Sequence, residues 1–176
     1  VLPGTWQPMA FSKDGRTLVA WNGQATVAFF NVATLEPYQE FPLEARRFGP
    51  RAWPSLSAEL DTMAEGLTNG HVKLWNTRTH ESTLLRVSEG PVGFATLSPN
   101  GHELVTGGFK QPLRWWDLRA GTNFVIAAEA QRVLFAPDGR TMAIFSWREP
   151  TQLWEVATRS VRTTLTPGQS AGFAAA

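Results

Sequence analysis

The sequence contains no cysteine, which excludes disulfide bridges and thiolate metal ligands. That absence leaves the compartment open, with a slight preference for the cytoplasm, because a disulfide-free protein can reside anywhere. No apolar run approaches the ~20 residues of a membrane-crossing helix, so no membrane partner is expected. Neither sign of charge is in excess: 16 Lys and Arg face 15 Asp and Glu. Without a broad basic field the chain lacks the electrostatic footprint of nucleic-acid binding, and no nucleic-acid partner is expected. There are only three histidines, His71, His80 and His102, each in or near a turn and with no ligand spacing. No metal or other cofactor is expected from them. A nucleophile elbow, a phosphate-binding loop, a zinc motif and an EF-hand loop are all missing. So is any sustained helical period. No signal peptide is present and the chain starts at Val1, which reads as a piece of something longer.

What is present is a packed-protein composition, 43% apolar and 18% charged, and a spacing that recurs four times. Phe30-Asn31, Trp75-Asn76, Trp116-Asp117 and Trp154-Glu155 each join an aromatic to a polar or acidic residue. A turn signal lies upstream of each, at Ser12-Lys13-Asp14-Gly15, Ser57-Ala58-Glu59, Ser98-Pro99-Asn100-Gly101 and Ala136-Pro137-Asp138-Gly139. From Ser12, Ser57, Ser98 or Ala136 to its aromatic the separation is always 18 residues, while the distance between repeats varies. A constant interior with elastic connections is the mark of one supersecondary unit repeated along a chain.

The third unit shows what that unit is. Gly93–Leu97 is a short apolar run ending in a Pro- and Gly-containing turn. Glu103–Thr106 is β-prone and stops at Gly107-Gly108, Leu113–Leu118 is a third strand, and Asn123–Ala127 a fourth. Four short strands, here named a to d in chain order, in about 40–45 residues make a propeller blade. The expected fold is all-β, a β-propeller of about four four-stranded antiparallel blades. The repeat cores are placed at about 5–44, 45–88, 89–128 and 129–168. Residues 171–176 resemble 92–97, the start of a blade, so 169–176 is expected to open a further one. Val1–Gly4 reads as the tail of an earlier strand d. A segment of a larger ring is expected, with further blades of the same parent chain or another copy as partners.

The residues Phe-Ser-x-Asp-Gly-Arg-Thr-Leu at 11–18, Phe-Ala-Pro-Asp-Gly-Arg-Thr-Met at 135–142 and Trp-Asp-Leu at 116–118 resemble the WD40 repeat family, in a degenerate, bacterial-type form. The resemblance covers essentially the whole chain. It departs from the family where a Gly-His pair, a strand-b Ser and a b–c turn Asp would join the strand-c Trp in a hydrogen-bonded tetrad. The Ser position holds Ala20, Glu65, Thr106 and Ile144. Blade cohesion is therefore expected to rest on apolar packing. Repeat two is the most degenerate, with Leu60 at the turn-glycine position and Glu65 in strand b, where fraying is slightly preferred over a buried, paired carboxylate.

The resemblance implies that the d–a loops and b–c turns share one face, the usual partner-binding face. Candidate partner-binding residues there are Arg46, Arg47 and Arg51 in the longest d–a connection, and Trp21, Lys110, Trp147 and Arg148 at b–c turns. Arg can grip a carboxylate or phosphate bidentately, and Trp is enriched at interface hot spots. Glu89, Glu129 and Glu149 make that face mixed in sign, which favours a protein or peptide partner. Trp75, Trp116 and Trp154 are expected to pack between blades, and Trp6 and Trp53 to face the central channel. Asp14, Asn100 and Asp138 read as turn caps, not as catalytic acids. The leading expectation is a non-catalytic scaffold or sensor module, and in bacteria such repeats often sit beside signalling domains. One alternative is part of a propeller enzyme, hydrolase or lactonase-like, with a His, Asp and Glu cluster in the channel. Another is a carbohydrate-binding propeller with exposed Trp faces.

Overall fold

The computed structural model describes residues 6–44, 53–108, 110–127, 129–146 and 149–165. They form sixteen strands in four sheets. The first sheet comprises β1 (Gln7–Phe11), β2 (Thr17–Trp21), β3 (Thr26–Asn31) and β4 (Pro37–Pro42). The second comprises β5 (Ser55–Leu56), β6 (Thr62–Gly66), β7 (His71–Asn76) and β8 (Ser82–Arg86). The third comprises β9 (Phe94–Leu97), β10 (Glu103–Gly108), β11 (Gln111–Asp117) and β12 (Thr122–Ala127). The fourth comprises β13 (Arg132–Phe135), β14 (Thr141–Phe145), β15 (Thr151–Glu155) and β16 (Ser160–Leu165). Each sheet is an antiparallel meander whose strands pair in chain order, because tight turns allow no other neighbour. The expected all-β propeller blades are thus present as four four-stranded sheets.

The repeated polar residues close the turns. Asp14, Asn100 and Asp138 each accept the backbone N–H two residues on, at 3.0, 2.9 and 2.9 Å. The same turn needs a left-handed residue, supplied by Gly15, Gly101 and Gly139 at φ 69°, 71° and 69°. Leu60 occupies that position at φ 58° and is buried against the first junction, so its packing offsets a backbone cost of about 1–2 kcal/mol. At the c–d turn, Oδ1 of Asn31, Asn76 and Asp117 accepts two N–H groups from the following residues. This is why the aromatic is followed by a short side chain with an acceptor oxygen.

The alternation of strands b and c sends successive residues to opposite faces. Trp75 packs on Val19, Val27, Phe29 and Phe41 of the first sheet. Trp116 packs against Ala64 and Val72 of the second. Trp154 packs against Val105, Leu113 and Trp115 of the third. Trp115 and Trp116 are adjacent in β11 and serve opposite junctions. One bond of the tetrad kind is present: Trp116 Nε1 donates to Thr106 Oγ1, at the strand-b Ser position, at 2.9 Å, both buried, whereas Trp154 Nε1 donates to Gln152 Oε1 of its own strand at 3.0 Å. Trp75 Nε1 is buried and donates to no acceptor. The fraying preferred for Glu65 is corrected here. β6 runs unbroken through Glu65 in register with Lys73, and the side chain is buried, because the neighbouring Met63 and Ala64 anchor the strand to the first and third sheets on its two faces.

The two outer sheet faces differ. On the first sheet, Ala20, Ala28 and Phe30 are fully buried, and Trp6 packs edge-on against Phe30 with ring centroids 5.1 Å apart. Trp6 thus packs on the first sheet's outer face, not in the channel. On the fourth sheet, Leu134 and Phe145 are 50% and 37% exposed. Ala143 and Thr151 there are half-buried, whereas their repeat counterparts Val19, Ala64 and Val105, and Val27, Val72 and Leu113, are completely buried under the next sheet.

Candidate functional site

Among the described residues two cavities stand out. The larger, about 1070 Å³, runs along the innermost strands β1, β5, β9 and β13 and reaches Ala143, Phe145 and Thr151 of the fourth sheet. Its wall is apolar, with Trp53, Phe94 and Phe145 as the aromatic part and Arg132 as the one charged lining residue. The enzyme alternative calls for His, Asp and Glu in this channel, and among the described residues lining it there is none. Among the described residues no three such side chains gather as a metal site.

The smaller cavity, about 530 Å³, is a cleft between the second and third sheets on the side of the b–c turns and d–a loops. Its rim is tied down by backbone. Val87 and Ser88 N–H both donate to Gly70 O, at 2.9 and 3.0 Å, joining the d–a loop to the b–c turn of the same sheet. Val92 N–H donates to Leu67 O, and Gly93 N–H to Gly107 O, which carries the loop across to the third sheet. Gly70 must be glycine: its φ is 84°, and a Cβ there would lie 2.1 Å from Ser88 O. The hydrogen-bonded pair Trp116 and Thr106 lines the cleft. Two guanidinium groups enter it. Arg114 Nη1 donates to Asn123 Oδ1 at 3.0 Å, and Arg86 Nη2 to Glu89 Oε2 at 2.7 Å. The cleft therefore places Trp116 beside two guanidinium groups, the Glu89 carboxylate and several amide and hydroxyl groups.

The opposite end of the sheets holds the shifted carboxylates, and all are structural. The N–H of Ala120, then Arg159, hold Asp117 below the usual carboxylate range. The Ser12 hydroxyl does the same for Asp14. Burial pushes Glu103 up, against a hydrogen bond from Ser98.

Of the residues singled out in the sequence, Arg46, Arg47, Arg51, Trp147 and Arg148 lie outside the described residues. Lys110 is exposed in the b–c turn of the third sheet, in a left-handed conformation, next to Gln111 of the cleft. Trp21 ends β2 half-buried, packed edge-on against Trp53 at 5.3 Å, with its Nε1 buried. Trp21 and Lys110 line neither cavity. The junction residues Trp75, Trp116 and Trp154 are each 8% exposed, too little for a sugar to stack on. Sequence reasoning missed Arg86 and Arg114. The signal was available, since Arg114 stands at the repeat position of Lys73, sixteen residues after the turn serine.

No family model matches the chain. Over 112 residues it is 27% identical to the Groucho protein of Drosophila melanogaster, a match covering 61% of this chain and 15% of Groucho. The β-propeller domain of Cps50 (Swd1) from Myceliophteria thermophila superposes with a TM-score of 0.71 at 15% identity, covering 92% of this chain and 55% of that one. A chain of a mitotic checkpoint complex superposes at 0.67 and 17% identity, covering 93% and 52%. This chain thus spans a small part of the curated relative and about half of these solved neighbours. The fold is that of a β-propeller, and the four in-phase repeats with these matches support a WD40-type one.

Proposed function

We propose that the chain is a non-catalytic WD40-type scaffold or sensor module that binds a protein or peptide through its face of b–c turns and d–a loops. The observation that carries this reading is the contrast between the two cavities. The loop-face cleft carries two guanidinium groups against one carboxylate and is rigidly framed, whereas the described residues of the channel wall include no His, Asp or Glu. One structural neighbour is a chain of a multiprotein complex, which agrees with a protein partner. Arg46, Arg47, Arg51, Trp21, Lys110, Trp147 and Arg148 are the further anchors this reading assigns to the face. Selection of displayed peptides against the 176-residue chain tests it. The reading expects enriched peptides whose binding falls at least about tenfold when Lys110 and Arg86 are reversed to Glu, and is unchanged by reversal of Arg16 at the opposite end. Enrichment insensitive to the loop face, or hydrolysis of ester or lactone substrates by the purified chain, refutes it.

The same reading places a further blade on the fourth sheet. A chain that superposes on just over half of a propeller domain shares its sheet-to-sheet rotation. Leu134 and Phe145 then lie where the other three junctions are covered. Light scattering on the chain is expected to give a mass above the monomer's 19.4 kDa, reduced to the monomer by Leu134→Glu with Phe145→Glu. A monomer before substitution refutes this part.

A further inference from the structure

The three junctions carry one slot built three ways. The slot lies beside the strand-c aromatic, between a side chain sixteen residues after the turn residue and one contributed by the preceding sheet's d–a loop. At the first junction the pair is Lys73 and Glu44, joined as an ion pair, with Lys73 Nζ over the Trp75 ring at 4.4 Å. At the third, Gln152 and Ala130 hold the positions, and Gln152 accepts from Trp154. Both slots are internally satisfied. At the second junction the positions hold Arg114 and Glu89, the repeat counterparts of Lys73 and Glu44. Here the carboxylate is drawn aside. Glu89 pairs with Arg86, an arginine with no basic counterpart in the first repeat, where Phe41 stands. Among the described residues Arg114 makes no ion pair, and its amide partner Asn123 brings no charge. The cleft of about 530 Å³ opens at this junction.

We propose that this cleft reads an acidic side chain on the partner: a carboxylate or a phosphate monoester carried by a peptide and received by Arg114 and Arg86 beside Trp116. The inference rests on the protein-binding reading above and adds the chemistry recognised. Arg114 is half-buried and positioned by Asn123, so its guanidinium presents a prearranged donor set to an anion. The Arg86–Glu89 pair is a surface pair, with Glu89 91% exposed, and an incoming anion can displace Glu89 at little cost. Glu89 is then the competitor that the ligand replaces.

The test uses three pools of random heptapeptides whose central residue is fixed as phosphoserine, Glu or Gln. Their binding to the 176-residue chain is measured by fluorescence anisotropy at low and high salt. The phosphoserine or the Glu pool is expected to bind at least about tenfold tighter than the Gln pool, with the advantage shrinking as salt rises. Whichever of the two binds tighter identifies the source of the anion. Arg114→Gln is expected to abolish the advantage and Arg114→Lys to keep part of it. Glu89→Gln is expected to tighten acidic peptides about threefold, a gain that misfolding cannot imitate. Equal binding of the Gln and acidic pools overturns the inference while leaving the protein-binding reading intact. An advantage that survives Arg114→Gln, a loss in Glu89→Gln, or no binding by any pool also overturns it. Failure of the displayed-peptide selection separately refutes the wider reading.

Discussion

Replacing Trp116 or Trp75 with Phe removes the same atoms from the same repeat position, yet the two changes are expected to differ in outcome. Both rings are 8% exposed at a sheet junction. The fold tolerates Phe there, since Phe30 fills the position in the first sheet. The lost volume costs roughly 1 kcal/mol in each case. Beyond that the sites diverge. Trp116 Nε1 donates to Thr106 Oγ1, and removing it strands a buried hydroxyl, at a further cost of about 1–2 kcal/mol. Trp75 Nε1 is buried and donates to nothing, so Phe relieves a desolvated donor and recovers about 1 kcal/mol. Trp116→Phe is therefore expected to cost about 2–3 kcal/mol and Trp75→Phe to be close to neutral. The gap corresponds to about 4–12 °C in melting temperature for a chain of this size. Parallel urea titrations followed by circular dichroism measure it. A Trp75→Phe variant as unstable as Trp116→Phe would sink the hydrogen-bond account and leave ring volume as the sole determinant.

Three other outcomes are expected. Gly70→Ala forces a Cβ onto Ser88 O in a left-handed turn, and should destabilise by about 3 kcal/mol or more while lowering affinity at the neighbouring cleft. Thermal melts and peptide binding on the same sample check this. Glu103, raised by burial, favours the folded state when protonated, and that contribution is lost as pH rises through its folded pKa. Glu103→Gln should therefore melt higher than the parent at neutral pH and no higher at about pH 3, below the ordinary glutamate value. Asp117 has the opposite sign: its lowered pKa gives stability that is present above the ordinary value and lost as pH falls through the folded one. Asp117→Asn should lower the melting temperature at neutral pH and flatten the acid limb, which melts between about pH 2 and 6 resolve.

The junction slots suggest how a repeat fold acquires a site. Every repeat must bury its strand-c aromatic to join its neighbour, so that position is not free to vary. The side chain two residues earlier only flanks the ring and varies from Ala28 to Lys73, Arg114 and Gln152. Where both slot partners are present and face each other, the slot is closed by its own ion pair. Where a second arginine competes for the carboxylate, the slot is left cationic. Function can arise from such a mismatch without disturbing the sheets on either side.

The strands, the turns and the separation into blades were legible in the amino-acid sequence because they depend on short-range physics. Ser12 to Gly15, Asn31 and their counterparts close turns through hydrogen bonds to residues two or three positions away, and alternation along each strand sorts Trp115 from Trp116 without knowledge of a neighbour. Glu65 was misjudged because the strand around it is held by Met63 and Ala64 packing on other sheets, a long-range effect. Arg86 and Arg114 lie 28 residues apart in the chain, and spacing alone could not say which carboxylate each would meet. Only the stacking of sheet on sheet decided that Glu44 would reach Lys73 and that Arg114 would meet no carboxylate among the described residues. The Arg86–Glu89 pair is local, three residues apart, whereas pairing between distant charges is settled by distances that exist only after the sheets have packed.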